Sequence, residues 1–295
     1  MPATFARPDL SERHPCFAPP RHAGPARAGR LHLPVSPACN ITCTFCARGV
    51  DPTAARPGVA RRLLRPQEAL TITERALRLC PEISVVGIAG PGDTLATDHA
   101  LDTFRLIHAA FPSLILCLST NGLRLPERLD ALVATGVQTL TVTVNAVDPV
   151  LQARISPVIA WQGRRVEGLA AAEILIASQL EGIRRAHDQG VSVKVNTVLI
   201  PGLNDRHVEA IAQAVAAAGA SLFNIIPLIP QHGLADVPAP TPAQVARARL
   251  EAGTHLSVFS HCQRCRADAA GIPGVTDIAE RLYDRRLDAE TFSHG

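Results

Sequence analysis

Leu31-His32-Leu33-Pro34-Val35-Ser36-Pro37-Ala38-Cys39-Asn40-Ile41-Thr42-Cys43-Thr44-Phe45-Cys46 joins a short alternating stretch to a loop with three cysteines, spaced four and then three residues apart. Residues 31–35 place an apolar side chain at every second position, which predicts a strand. Loops at the carboxyl end of a parallel strand are where α/β proteins place their chemistry. Three soft thiolates can hold an iron–sulfur cube by three of its irons. The fourth iron is then open to a substrate or cofactor, whereas a cluster used only for electron transfer has four cysteine ligands.

The rest of the chain repeats a strand-then-helix pattern. A helix is predicted over 66–79 with proline at its start, followed by a nearly continuous apolar strand, Ile83-Ser84-Val85-Val86-Gly87-Ile88, of the kind covered on both faces. That strand ends in Ala89-Gly90-Pro91-Gly92-Asp93, where glycines allow close backbone approach to a ligand and Asp93 supplies a carboxylate. Alone, the same turn is also ordinary loop chemistry. Further helices are predicted near 98–110, 126–135, 168–189 and 204–219, the last capped by Asn204-Asp205, with strands over 114–118, 139–145, 191–198 and 222–226.

In the 139–145 strand, Thr139, Thr141, Thr143 and Asn145 share one face, while Leu140, Val142 and Val144 share the other. If the apolar face meets the helices, the polar face lines a central cavity. Lys194 shares a face with Ser192 and Asn196, so it calls for a polar ligand or ion-pair partner if it faces inward; the alternative is an edge strand with a solvated lysine. Six strand–helix units imply a parallel sheet with right-handed crossovers. Six are too few for an eight-unit barrel, so the prediction is an α/β fold built as an open, partial (β/α)6 barrel. Its boundaries are read as an N-terminal arm over 1–29, the barrel over 30–230, and a C-terminal extension over 231–295. The two extensions are expected to cover the open end.

The 295 residues are 47% hydrophobic and 19% charged, enough for one large core. A net charge of +3 is too small to imply nucleic acid or an acidic membrane as partner, and Arg61-Arg62 with Arg65 reads as a solvated face. No apolar run approaches the ~18 residues of a membrane span, and residues 1–30 lack a signal-peptide pattern, so a cytoplasmic protein is expected. In a reducing compartment, eight cysteines are ligands or buried apolar residues rather than a disulfide framework.

Five cysteines lie outside the triad. Cys80, at a helix end before Pro81, and Cys117, late in a strand beside Ser119-Thr120-Asn121-Gly122, read as small buried residues. His14-Pro15-Cys16 is either incidental to a mobile arm or a ligand pair brought over the active site. Cys262-Gln263-Arg264-Cys265 can be half of a zinc site, a redox pair, or part of a second cluster site.

The cysteine triad after the first strand of a partial barrel resembles the radical S-adenosylmethionine (SAM) superfamily. The resemblance implies that Cys39, Cys43 and Cys46 hold a [4Fe-4S] cluster. Its open iron would bind SAM and deliver the electron that cleaves it to a 5′-deoxyadenosyl radical. It also implies that Gly90, Gly92 and Asp93 lie near the methionine amino group, and that Ser119, Thr120, Asn145 and Asn196 are SAM contacts. Longer stretches, among them Arg56-Pro57-Gly58-Val59, Ser119-Thr120-Asn121-Gly122-Leu123, Asn145-Ala146-Val147-Asp148-Pro149, Lys194-Val195-Asn196 and Cys262 to Ala269, are similar to the NifB family of nitrogenase cofactor maturases in its short form. That family fuses two [4Fe-4S] clusters with a SAM-derived carbide. The resemblance makes His14, Cys16, Cys117, Cys262 and Cys265 ligands of two substrate clusters. It also implies an electron donor of ferredoxin or flavodoxin type, with cluster donor and carrier proteins as partners.

The loop after the triad departs from the family pattern, with Pro52 where a cysteine is expected and Ala55 where an acid is expected. Proline cannot ligate iron, so one substrate cluster is short of a thiolate unless Cys16, His14 or His22 substitutes. The chain is then a divergent maturase or a radical enzyme with another substrate. The rival from another class is a cluster carrier without catalysis, or a protein whose tail binds structural zinc.

Overall fold

The computed structural model describes residues 10, 13–17, 28–262, 264–283 and 293–294. Six strands lie side by side in chain order and run parallel: β1 (Gly29–His32), β2 (Ile83–Ile88), β3 (Ile115–Thr120), β4 (Val137–Thr143), β5 (Ser192–Leu199) and β6 (Leu222–Pro227). The connections carry α1 (Pro66–Leu79), α2 (His99–Ala110), α3 (Leu125–Val133), α4 (Pro149–Ile155), α5 (Gly168–Asp188) and α6 (Val208–Ala217). Because each crossover lands beside the preceding strand, the sheet grows in one direction and curls into an open half-barrel.

The strand alternation decides what each face meets. Leu31, Val86, Leu116, Leu140, Val193 and Phe223 turn outward and form one buried core with helix residues such as Phe104, Leu129, Ile183 and Ile211. Local signals start α1 where expected, and start α4, which was not predicted. Pro66 opens α1 while Glu68 accepts the Arg65 N–H at 2.8 Å, and Asp148 accepts the Leu151 N–H at 2.9 Å to begin α4. Asn204 is not a helix cap: α6 begins at Val208, and the Asn204 amide instead donates to the carbonyls of Asn145 and Val198. Among the described residues no helix is long and apolar enough to cross a membrane.

The sheet has two strands more than the six expected. After α7 (Pro242–Gly253), β7 (Val258–Phe259) pairs parallel with β6 at one edge, and β8 (Ala270–Gly271) pairs antiparallel with β1 at the other. Residues 260–262 and 264–269 therefore pass from one edge of the half-barrel to the other. They form a strap across its open side, and the Cys-X-X-Cys lies on it. Tyr283 anchors the far end of the strap by donating to the His32 carbonyl at 2.6 Å. The antiparallel hairpin Val158–Trp161 and Arg164–Glu167 pairs through Ile159 and Val158 with Ile41 and Thr42, bracing the cysteine loop from the side.

Candidate active site

The cysteine loop sits at the carboxyl end of β1, held by the turn after β2. Gly92 N–H donates to the Ser36 carbonyl and Asp93 N–H to that of Ala38, both at 2.8 Å. A Cβ on Gly92 would lie 2.0 Å from the Ala38 carbonyl oxygen, so only glycine lets these two backbones approach. The Asp93 carboxylate faces the same junction. It accepts from the Asn121 N–H (2.6 Å), the Leu95 N–H (3.0 Å) and the Thr120 hydroxyl (2.9 Å), and it is 2% exposed. Burial raises its pKa, and these bonds with Arg48 oppose the rise.

Each thiol of the triad has a polar partner. Arg48 Nε donates to Cys46 Sγ at 3.1 Å while its Nη1 donates to the Pro91 and Gly92 carbonyls at 3.1 and 2.8 Å. Asn121 Nδ2 lies 4.0 Å from Cys39 Sγ, and Ser156 Oγ lies 3.2 Å from Cys43 Sγ. Burial and then the neighbouring Cys46 push the Cys43 thiol up to about 12, and burial raises the Cys39 thiol as well. Three soft side chains with hydrogen-bond donors aimed at their sulfurs suit an iron–sulfur cube, so the residues fit a cluster.

Beyond the triad opens a cavity of about 590 Å³ on the concave face of the sheet. Cys43 and Cys46 line it, together with Ser119, Asn145 and Asn196 of the expected SAM contacts. Gly90, Gly92, Asp93 and Thr120 do not line it, because the glycine turn packs on the cysteine loop and Thr120 is spent on Asp93. The polar face predicted for 139–145 is the lining, with Thr141, Thr143 and Asn145 exposed to the cavity. Two buried side chains that the sequence reading missed, Gln152 of α4 and Gln179 of α5, also border it. Each has a buried side-chain carbonyl oxygen without a hydrogen-bond partner among the described residues. Gln179 was legible as a polar residue in the apolar stripe Ala171, Ala172, Leu175, Ile183 of its helix. Arg48 was legible as a cation two residues after a thiolate.

The same cavity gathers the other soft ligands. His14, Cys16, Cys117, Cys262 and Cys265 all line it, so Cys117 is not the core residue expected. Cys80 is one, 4% exposed in the main core. Burial raises the Cys16 thiol to about 11; Lys194 opposes this, while Cys265, Cys117 and Cys262 add to it. Lys194 is on an interior strand rather than an edge, 6% exposed, with its Nζ 3.5 Å from the Cys16 carbonyl and about 5 Å from the rings of Phe17 and Phe259. Among the described residues no three of His, Cys, Asp or Glu converge as a single-ion site, which leaves the zinc reading of Cys262 and Cys265 without a partner set there. Pro52 and Ala55 are exposed, and their loop is pinned by Arg266, which donates to the carbonyls of Asp51 and Ala54. His22 lies outside the described residues.

Comparison with known proteins places this geometry among relatives. Residues 33–215 match the radical SAM superfamily. The chain is 44% identical over 274 residues to the FeMo cofactor biosynthesis protein NifB of Klebsiella pneumoniae, covering 90% of this chain and 58% of that protein. It is 38% identical to NifB of Methanocaldococcus jannaschii over 97% of this chain and 96% of that one. Among solved structures, Streptococcus suis SuiB bound to S-adenosylmethionine superposes with a TM-score of 0.58 at 12% identity, covering 80% of this chain and 51% of SuiB.

Proposed function

Because the chain belongs to the radical SAM superfamily, and within it to the NifB family, we propose that it is a nitrogenase cofactor maturase whose triad Cys39, Cys43 and Cys46 holds the catalytic [4Fe-4S] cluster. The observation that carries this reading is one cavity with two thiols of the triad at its mouth and four further thiols on its other walls. When bound, the cluster and SAM supply a 5′-deoxyadenosyl radical; the chain's residues supply place and polarity for it. Arg48 fixes Cys46 to the glycine turn, Ser156 steadies Cys43, and Asn121 links Cys39 to Asn40, whose Oδ1 accepts from Asn121 at 2.7 Å. The orphan oxygens of Gln152 and Gln179 are acceptors for a cationic or N–H-bearing ligand, and SAM offers both in its ammonium and adenine groups. Ser119, Asn145 and Asn196 complete that wall.

The product is an eight-iron precursor made by joining two four-iron clusters around a SAM-derived carbon. Electrons come from a small redox protein of ferredoxin or flavodoxin type, and clusters from donor and carrier proteins. Anaerobically reconstituted protein should form 5′-deoxyadenosine on reduction with SAM, and Cys43→Ala should abolish it; persistence would mean that the triad is misassigned. Carbon from methyl-labelled SAM should remain in the iron-containing product. The exposed Pro52 and Ala55 favour a second reading, a radical reaction on another substrate. Formation of 5′-deoxyadenosine without label in the iron fraction would select it.

A further inference from the structure

Arg48 is a cation fixed against the triad from both sides of its own position. It follows Cys46 by two residues, and the next two, Gly49 and Val50, pair in parallel with Val59 and Ala60. Its side chain turns back toward the cysteine loop. Nε donates to Cys46 Sγ at 3.1 Å, while Nη1 donates to the carbonyls of Pro91 and Gly92 at 3.1 and 2.8 Å, so one rigid guanidinium bridges a thiol of the triad and the glycine turn. Gly58 leaves room for the stem: a Cβ there would lie 3.2 Å from Arg48 Cγ, and its φ of +77° suits glycine.

The charge of this guanidinium is not spent on a carboxylate. Its polar contacts among the described residues are the thiol and the two carbonyls, and no aspartate or glutamate lines the cavity. Asp93 acts on it at longer range, but the Asp93 oxygens are already taken by the Thr120 hydroxyl and the N–H groups of Leu95 and Asn121. Arg48 in turn acts electrostatically on all three thiols, Cys46 ahead of Cys39 and Cys43. The donors at Cys39 and Cys43, Asn121 and Ser156, are neutral.

We propose that Arg48 is a positioning residue that sets the reduction potential of the cluster on Cys39, Cys43 and Cys46, by holding one fixed positive charge at Cys46. The proposal rests on the reading that the triad holds a four-iron cluster. Such a cube on three thiolates carries roughly one net negative charge when oxidised, and roughly two after taking up one electron from a small redox protein. A fixed cation stabilises the second state more than the first, so it raises the potential and eases entry of the electron. The hydrogen bond to the ligand sulfur acts in the same direction. Its partly buried setting limits screening by salt, and the two carbonyl bonds hold the guanidinium in place in both redox states.

The test is a redox titration of the anaerobically reconstituted chain, followed by EPR. SAM needs an open iron, so the part of the reduced signal that changes on adding SAM marks the triad cluster. Arg48→Gln keeps an N–H but no charge. Its midpoint should fall by the equivalent of about tenfold or more in the ratio of reduced to oxidised cluster, which is about 59 mV for one electron. Arg48→Lys keeps the charge and should recover most of that fall. Should the glutamine variant fail to take up the cluster, Arg48→Met keeps the stem against Gly58 and carries the same expectation. An unchanged midpoint in the uncharged variants would overturn the proposal. A fall in Arg48→Lys as large as in Arg48→Gln, or loss of the cluster from all three variants alike, would equally overturn it and leave Arg48 a structural clamp. Wild-type protein without a SAM-responsive signal would instead sink the cluster reading of the triad, and the proposal with it.

Discussion

Asp93 shows how a residue expected beside a ligand can matter more to the protein itself. Its two oxygens accept from three donors, the Thr120 hydroxyl lying within reach of both, and Asn121, another of the donors, also reaches Cys39 and Asn40. In Asp93→Asn one oxygen becomes an NH2 that cannot accept, leaving a buried donor unpaired. The cost should be ~1–3 kcal/mol in chemical denaturation. If Asp93 were chiefly a SAM contact, stability would hold and only SAM affinity would fall. His32 makes a second prediction. Burial, then the Arg30 charge, pushes its pKa down to about 4 from 6.5, although its Nδ1 bond to the Arg266 carbonyl opposes this. The unfolded chain takes up a proton near pH 6.5 that the folded chain refuses until about pH 4. Stability should therefore fall as pH drops through that window, by ~2–3 kcal/mol, and His32→Gln should flatten the slope. Equal slopes in urea titrations of the two proteins would rule this out. At this scale the thiols were legible from softness and spacing. Arg48 was legible two residues after Cys46, but Asn121 and Ser156 were less so, because a hydrogen bond between loops distant in sequence leaves no period to read.

Among the elements, the strap depends on one buried carboxylate. Asp268 is fully buried and accepts from the Arg61 N–H at 2.6 Å, from Arg61 Nη1 at 3.2 Å and from Arg266 Nε at 2.8 Å, so it ties the strap to the segment before α1. Arg61, read from sequence as part of a solvated basic face, is thus half of an internal clasp, with its side chain 18% exposed. Removing one partner of such a pair strands the other charges. Asp268→Ala should cost ~3–5 kcal/mol, and hydrogen exchange over residues 260–269 should quicken before that of β3 and β4. Unchanged exchange there would mean that the strap is held by the sheet edges alone. The parallel strands and the longer helices α1, α2, α3, α5 and α6 were legible from their periodicity, whereas α4, of seven residues, was not foreseen. β7 and β8 were not: two residues apiece carry no pattern, and their pairing depends on edges formed by strands far away in the chain. The inward face of β4 shows the opposite case, where strict alternation of threonine with leucine and valine foretold the cavity wall.

For the molecule as a whole, the sheet and its closure differ in what holds them. Strands β2 to β5 and their helices share one continuous apolar core, and residues 270–283 join it through Ala270, Ile278, Leu282 and Tyr283. Among the described residues, the 13–17 turn is held by polar bonds and by the Phe17 ring against His14 and Lys194, while the segment after β7 is held by polar bonds through Arg30, Arg249 and Arg266 and by the His261 ring against Phe259. Both segments carry thiols that face the cavity beside Cys117 of β3. Iron–sulfur ligation would bond them to the barrel and so make metal binding part of their folding free energy. Without it, these segments lose the bonds that would tie them to the barrel. Hydrogen exchange of the iron-free protein should therefore show protection lost over 13–17 and 260–266 and retained over β2 to β5 and 270–283, with reconstitution restoring the lost part. A uniform gain of protection on adding iron would mean that the clusters stabilise the barrel as one unit. Closure would then be a property of the sheet and not of the thiols that cross its open side.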